Sequence, residues 1–115
     1  MINETDIRDM QEDLEGYTNF VESMVMTKGK DRLVENTLGL VGEAGEVAEK
    51  IKKTFRDSTA YSHQEVLQEL GDVLFYVTAL ANLHNANLRK VMDLNMLKLN
   101  SRKQRNKLHG SGDNR

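Results

Sequence analysis

The sequence predicts an all-α protein whose protomer is a four-helix bundle that oligomerises through a buried central helix. Three observations favour this fold class. The 115 residues contain no proline, which would break helix interiors and central strands. Apolar residues recur every three or four positions in four successive segments, which is the period of an amphipathic helix. The third segment is apolar around nearly its whole circumference.

The first two helices are predicted from such stripes. The first stripe consists of Ile7, Met10, Leu14, Tyr17, Val21 and Met24. Residues 27–30 interrupt it, and Asp31 is the expected N-cap of a second helix over about residues 32–55, because its side chain can accept a bond from a free N–H group. The expected core positions of that helix are Leu33, Leu40, Ala44, Val47, Ala48 and Ile51.

Three glycines interrupt the second helix at every third position, Gly39, Gly42 and Gly45. Each costs about 1 kcal/mol relative to alanine. Two compatible explanations remain open: a neighbouring helix packs closely against them, or a ligand approaches beside Glu43 and Glu46.

The third helix is expected after a loop at residues 57–61, since Ser62 and Glu65 match a capping box. Residues 73–83 are apolar on almost every side, and such a helix is normally buried all round. A small four-helix monomer has little room to enclose it, so a second subunit is expected to cover it, most often as a two-fold dimer.

A turn at residues 85–87 leads to a fourth helix that carries Leu88, Val91, Met92, Asn95 and Leu99. We predict one helical domain over residues 1–108 and a flexible tail over residues 109–115. The absence of cysteine excludes disulfides and thiol chemistry and agrees with a cytoplasmic location. The apolar runs are too short for a membrane span, so no membrane partner is expected.

Two carboxylate pairs carry the chemical signal. Glu43 and Glu46, like Glu69 and Asp72, are spaced i, i+3, so each pair projects from one side of its helix. If the two helices pack together, four like charges meet, which is unfavourable unless a cation holds them. All-oxygen ligands suit a hard divalent ion, and we expect Mg²⁺, with Mn²⁺ as a substitute.

The third helix places its two carboxylates on a side that is otherwise apolar. Its main stripe consists of Leu70, Val73, Leu74, Val77 and Ala81. Glu69 and Asp72 line up instead with Glu65, Tyr76, Ala79 and Leu83. We therefore expect these carboxylates to lie on a packed face rather than a solvated one.

Three sequence blocks now point to a family. They read LGLVGEAGEVAEKIKK (38–53), ELGDVLFY (69–76) and NMLKL (95–99). In order and spacing they resemble the MazG-like branch of the all-α nucleoside triphosphate pyrophosphohydrolases, over roughly residues 37–102. The resemblance implies a helical dimer or tetramer. It also implies Mg²⁺-dependent hydrolysis of a nucleoside triphosphate, expected to be the deoxy form, to the monophosphate and pyrophosphate, as nucleotide-pool housecleaning.

The resemblance also implies residue roles. The implied metal ligands are Glu43, Glu46, Glu69 and Asp72, and the implied substrate contacts are Tyr76, Asn95, Lys98 and Arg102. Glu46 is the expected orienter of the attacking water, and Lys98 would offset charge on the departing pyrophosphate. After Arg102, many relatives continue into an aromatic, glycine-containing segment, whereas KQRNK follows here.

Two other classes of function compete with this interpretation. One is a catalytically silent helical dimer that acts as a regulatory or partner-binding module, and the four intact carboxylates argue against it. The other is a nucleic-acid binder that uses the basic stretch over residues 98–107. A net charge of −2 and the lack of aromatic residues in that stretch make nucleic acid an unexpected partner.

Overall fold

The computed structural model describes residues 4–57, 62–106, 109–110 and 112, and within the first helix it leaves out the side chains of residues 6, 7 and 9–11. Four helices account for most of this part of the chain. They are α1 (Glu4–Met24), α2 (Gly29–Arg56), α3 (His63–Leu83) and α4 (Leu88–Gln104), and no strand occurs among the described residues. The all-α, four-helix prediction is confirmed. The predicted loop at 58–61 and most of the predicted tail lie outside the described residues.

Helix α3 is the centre of the architecture. It packs along α2 and also contacts α1 and α4, whereas no Cα atom of α2 lies within 8 Å of α1 or α4 in the described helices. The radius of gyration is 17.2 Å, compared with about 13 Å for a compact chain of this length. The protomer is therefore an open bundle built around one helix pair.

The packed core lies where α1, α3 and the start of α4 meet. Val21 and Ala79 are fully buried, and Leu88 and Ala81 are nearly so. These residues belong to the predicted stripes of α1 and α3 and to the predicted start of α4. The side chains of Ile7 and Met10, which belong to the same α1 stripe, lie outside the described residues.

The predicted start of α2 was wrong by a few residues. The N-cap is Lys28, whose carbonyl accepts a hydrogen bond of 3.3 Å from the Arg32 N–H. Asp31 therefore lies inside the first turn, where its charge is favourable toward the helix dipole. The other predicted starts are confirmed, since Ser62 accepts from the Glu65 N–H and Asn87 accepts from the Lys90 N–H.

The predicted core face of α2 was also only partly right. Leu40, Val47 and Ile51 are half-buried, but Ala44 and Ala48 are exposed, as is Leu33. The reason is that only α3 packs along α2, so α2 has one narrow covered strip. The following residues define that strip: Arg32, Asn36, Gly39, Leu40, Glu43, Val47, Lys50, Ile51 and Thr54.

Apolar side chains remain exposed on α3 and α4. Leu67, Leu70 and Leu74 form an exposed row on α3, and Val91, Leu94 and Leu97, spaced three residues apart, form another on α4. By length and composition α3 is apolar enough to cross a membrane, a criterion that core helices of soluble proteins also meet. Oligomerisation and the absence of a membrane partner stay predictions.

Candidate metal and active site

Three of the four predicted carboxylates come together across α2 and α3. Glu43 of α2 lies opposite Glu69 and Asp72 of α3, and one ligand oxygen from each residue lies within 4.8 Å of the others. Glu43 and Glu69 are half-buried, while Asp72 is exposed. We call these three residues the carboxylate cluster. The expected packed face is thus confirmed for Glu69, whereas Asp72 lies at its exposed edge.

The cluster is electrostatically unfavourable by itself. The pKa of Glu43 is raised, first by burial and then by the charges of Asp72 and Glu69, with further contributions from a hydrogen bond to Glu69 and the charge of Glu46. Each of these causes disfavours the ionised form. A divalent cation among these oxygens would reverse that balance, and a donor set of carboxylates alone suits a hard ion. The residues therefore fit a divalent cation.

Glu46 lies outside the group of three. It is exposed on α2, one turn beyond Glu43, and close enough for its charge to raise the pKa of Glu43. The structure therefore places Glu46 at the margin of the cluster.

Tyr17 of α1 is a neighbour of the cluster that sequence reasoning missed. Burial raises the pKa of its phenol, and the charge of Asp72 raises it further. Its ring stacks on Phe20 with centroids 6.3 Å apart. The sequence placed Tyr17 correctly on an apolar stripe, but no local pattern tells which carboxylate that stripe approaches.

The three glycines that interrupt α2 at residues 39, 42 and 45 have different surroundings. A Cβ at Gly39 would overlap the ring of Tyr76, so this glycine permits close approach of α2 and α3. At Gly42 and Gly45 a Cβ would meet nothing within 4 Å. These two glycines leave open space on either side of Glu43 and Glu46. The explanation by close helix packing is therefore confirmed at Gly39, and the approach of a ligand beside Gly42 and Gly45 stays a prediction.

Tyr76 lies between the cluster and a cleft. Its ring makes an edge contact with Phe75, with centroids 5.3 Å apart. Both rings line a cleft of about 330 Å³ between the end of α1 and the α2–α3 pair. Tyr76 is therefore positioned to contact a ligand that extends from the cluster into this cleft.

The predicted substrate residues of α4 lie on a helix that, among the described residues, contacts α3 but not α2. Asn95 is exposed, Lys98 is half-buried, and no Cα atom of α4 lies within 8 Å of α2 in the described helices. Arg102 is buried, at 4% exposure, and donates a hydrogen bond of 3.2 Å to the Gly112 carbonyl.

Fold and site together define an all-α protein in which two packed helices carry a cluster of carboxylates, a donor set that suits a divalent cation. A family model for the MazG nucleotide pyrophosphohydrolase domain matches residues 33–106. The chain is also 49% identical over 83 residues to the Gene 37 protein of Mycobacterium phage L5, which covers 69% of this chain and 73% of that protein. No solved structure matches the chain. The chain belongs to the MazG nucleotide pyrophosphohydrolase domain family.

Proposed function

We propose that this protein is a Mg²⁺-dependent nucleoside triphosphate pyrophosphohydrolase. It would convert a (d)NTP and water to the (d)NMP and pyrophosphate, acting in the cytoplasm on the nucleotide pool. The observation that carries the proposal is the carboxylate cluster, whose ligand oxygens lie within 4.8 Å of one another. Membership of a nucleotide pyrophosphohydrolase family supports a nucleotide as the substrate.

In this proposal Glu43, Glu69 and Asp72 hold the cation. Bound Mg²⁺ would supply Lewis-acid chemistry to a phosphoryl group and would make a nearby water more acidic. Glu46, exposed at the margin of the cluster, orients the attacking water and accepts its proton. The open space beside Gly42 and Gly45 leaves room for the phosphates.

Lys98 is the proposed cation for the departing pyrophosphate, with Asn95 one turn away as a polar contact. A lysine ammonium can stabilise the charge that builds on a leaving phosphate. Arg102 is buried, at 4% exposure, whereas Lys98 is half-buried, so we assign the phosphate contact to Lys98 before Arg102.

We assign Lys98 to the cluster of a second protomer, because α4 contacts α3 of its own chain but, in the described helices, has no Cα atom within 8 Å of α2, the helix that carries Glu43. The exposed rows on α3 and α4 supply apolar surface for a dimer or tetramer. Light scattering at micromolar concentration should show a dimer or larger. Mixing Asp72→Asn with Lys98→Ala protein should restore about a quarter of wild-type activity in a dimer, since half of the molecules then carry one intact site. A monomer, or no recovery on mixing, would contradict the shared site.

The reaction is tested by incubating the protein with each common (d)NTP and Mg²⁺ and separating pyrophosphate from phosphate. We expect the monophosphate and pyrophosphate in equal amounts, and no turnover with a chelator. Release of phosphate and a diphosphate would exclude this reaction. No turnover with any nucleotide would favour the silent helical module.

A further inference from the structure

The cleft beside Tyr76 has a wall of mixed chemistry. Its lining includes Met24, the last residue of α1, and Met26 in the segment that follows, together with Phe75 and Tyr76 of α3. Asn36 of α2 also lines it. Methionines and aromatic rings form adaptable, polarisable surfaces on which a flat ring can stack.

Asn36 is the unusual member of this wall. It is only 4% exposed, and its Nδ2 has no hydrogen-bond partner among the residues that the structure describes. A buried amide donor without a partner costs about 1–3 kcal/mol. Local violations of this kind tend to gather at functional sites. Helix α2 therefore carries a buried amide donor that makes no hydrogen bond to the described part of the chain.

The cleft and the carboxylate cluster lie at successive positions along the α2–α3 pair, and the Tyr76 ring packs on Gly39 between them. Asn36, Gly39 and Glu43 lie along the covered strip of α2, and two turns of helix place Asn36 about 10 Å from Glu43. On α3, Tyr76 lies one turn from Asp72. A nucleotide carries its base and its phosphates at opposite ends of a sugar, so with its phosphates at the cluster its base would reach the cleft on the far side of the Tyr76 ring.

We propose that the cleft binds the nucleobase of the substrate and that Asn36 is a specificity-determining residue. The inference depends on the proposed function, because the phosphates must lie at the cluster for the base to reach the cleft. The Asn36 Nδ2 donates to an acceptor on the edge of the base, and the Tyr76 and Phe75 rings pack against its apolar surface. A base without an acceptor at that place leaves the donor unpaired and is rejected.

The decisive variant is Asn36→Leu, which removes the donor and keeps a side chain of similar size. For the preferred dNTP we expect kcat/KM to fall at least about 10-fold, mainly through KM, because one buried hydrogen bond is lost. Preference among the four bases should flatten. Binding of inorganic tripolyphosphate, which has phosphates but no base, should change less than about 2-fold. Asn19→Leu, an exposed asparagine of α1, is the matched control and should keep the base preference.

Thermal unfolding separates this role from a structural one. If the Nδ2 donor awaits a base, nucleotide-free Asn36→Leu protein should melt no lower than wild type, because an unpaired buried group is removed. A lower melting temperature with equal losses for dNTPs and tripolyphosphate would overturn the inference. So would an unchanged base preference.

The same binding measurements separate the inference from the proposed reaction. Suppose that no dNTP is hydrolysed, yet dNTPs bind wild type with base-dependent affinities that Asn36→Leu equalises. The proposed hydrolysis would then be refuted, whereas binding of the nucleobase in the cleft would be supported.

Discussion

Two charged clusters lie along the α2–α3 pair, and they are built in opposite ways. The first is the carboxylate cluster. The second, which we call the Arg32 network, consists of Glu22, Arg32 and Asn82. Arg32 donates two hydrogen bonds of 2.7 Å to the Glu22 carboxylate and one of 3.2 Å to the Ala79 carbonyl. Asn82 donates to Glu22 at 3.1 Å and to the Thr18 carbonyl at 3.3 Å.

The difference shows in the pKa values. Hydrogen bonds from Arg32 lower the pKa of Glu22, with the Arg32 charge and Asn82 adding to the effect. Burial and neighbouring negative charges raise the pKa of Glu43. In the Arg32 network the chain supplies its own counter-charge, so the network fastens α1, α2 and α3 together. In the carboxylate cluster every cause that acts on the pKa of Glu43 raises it and none comes from a cationic side chain, which is the arrangement expected of a functional site.

The largest expected effect comes from Asp72→Asn, which keeps the shape of the side chain and removes one charge from the cluster. Activity should fall at least about 100-fold, since a lost ligand costs on the order of 3 kcal/mol of transition-state stabilisation. Metal-free protein should be no less stable, because like charges repel. Asp93→Asn, at an exposed carboxylate that pairs with Arg89 on α4, is the control. Near-full Mg²⁺-dependent activity of Asp72→Asn would show that the cluster is not the site.

Lys98→Ala tests the contribution of α4. A charge-assisted phosphate contact in a partly enclosed site is worth roughly 2–3 kcal/mol, so kcat/KM should fall some 30- to 100-fold. Lys103→Ala, at an exposed lysine further along the same helix, should change it only a few-fold, and salt should screen that change. Equal effects at both lysines, with similar losses in DNA or RNA binding, would favour the nucleic-acid binder.

The sequence predicted that Glu69 and Asp72 share one side of α3 with Tyr76 and Leu83, because helical periodicity alone gives that alignment, but it did not predict that Asp72 is exposed. It could not predict the covered strip of α2. That strip contains Arg32, Asn36 and Glu43, and hydrophobic periodicity does not register a polar packed face. It also missed the proximity of Tyr17 to Asp72, because the packing between helices distant in the chain depends on tertiary structure.

Glu22→Gln addresses the Arg32 network through stability. The Arg32 side chain is only 12% exposed while that of Glu22 is 50% exposed, so the pair lies between a buried and a surface ion pair. We expect a loss of about 1–2 kcal/mol, or roughly 4–10 °C in Tm. Glu12→Gln, at an exposed glutamate of α1, should stay within about 0.5 kcal/mol. At temperatures well below the Tm of the variant, its kcat/KM should equal that of wild type. A large loss of kcat/KM there would show that the Arg32 network also contributes to catalysis.

The smallest effect is a difference in pH dependence between the two clusters in metal-free protein. The folded pKa of Glu22 lies below its usual 4.5, so its stabilising contribution is complete above that pH and disappears as the pH falls through the folded value. The folded pKa of Glu43 lies above 4.5, so its ionisation destabilises the fold increasingly as the pH rises from 4.5 through the folded value.

Unfolding by denaturant between about pH 3 and pH 7, with chelator, should therefore give opposite results for two neutral variants. Glu22→Gln should be less stable than wild type at pH 7, and the deficit should shrink toward pH 3. Glu43→Gln should be at least as stable as wild type at pH 7, and any advantage should vanish toward pH 3. Adding Mg²⁺ at pH 7 should stabilise wild type and Glu22→Gln alike, because the Arg32 network is not a ligand. It should stabilise Glu43→Gln less. If Mg²⁺ stabilised Glu43→Gln as strongly as wild type, Glu43 would not be a metal ligand. The carboxylate cluster would then differ from the Arg32 network only in how its side chains pack, and not in binding a cation.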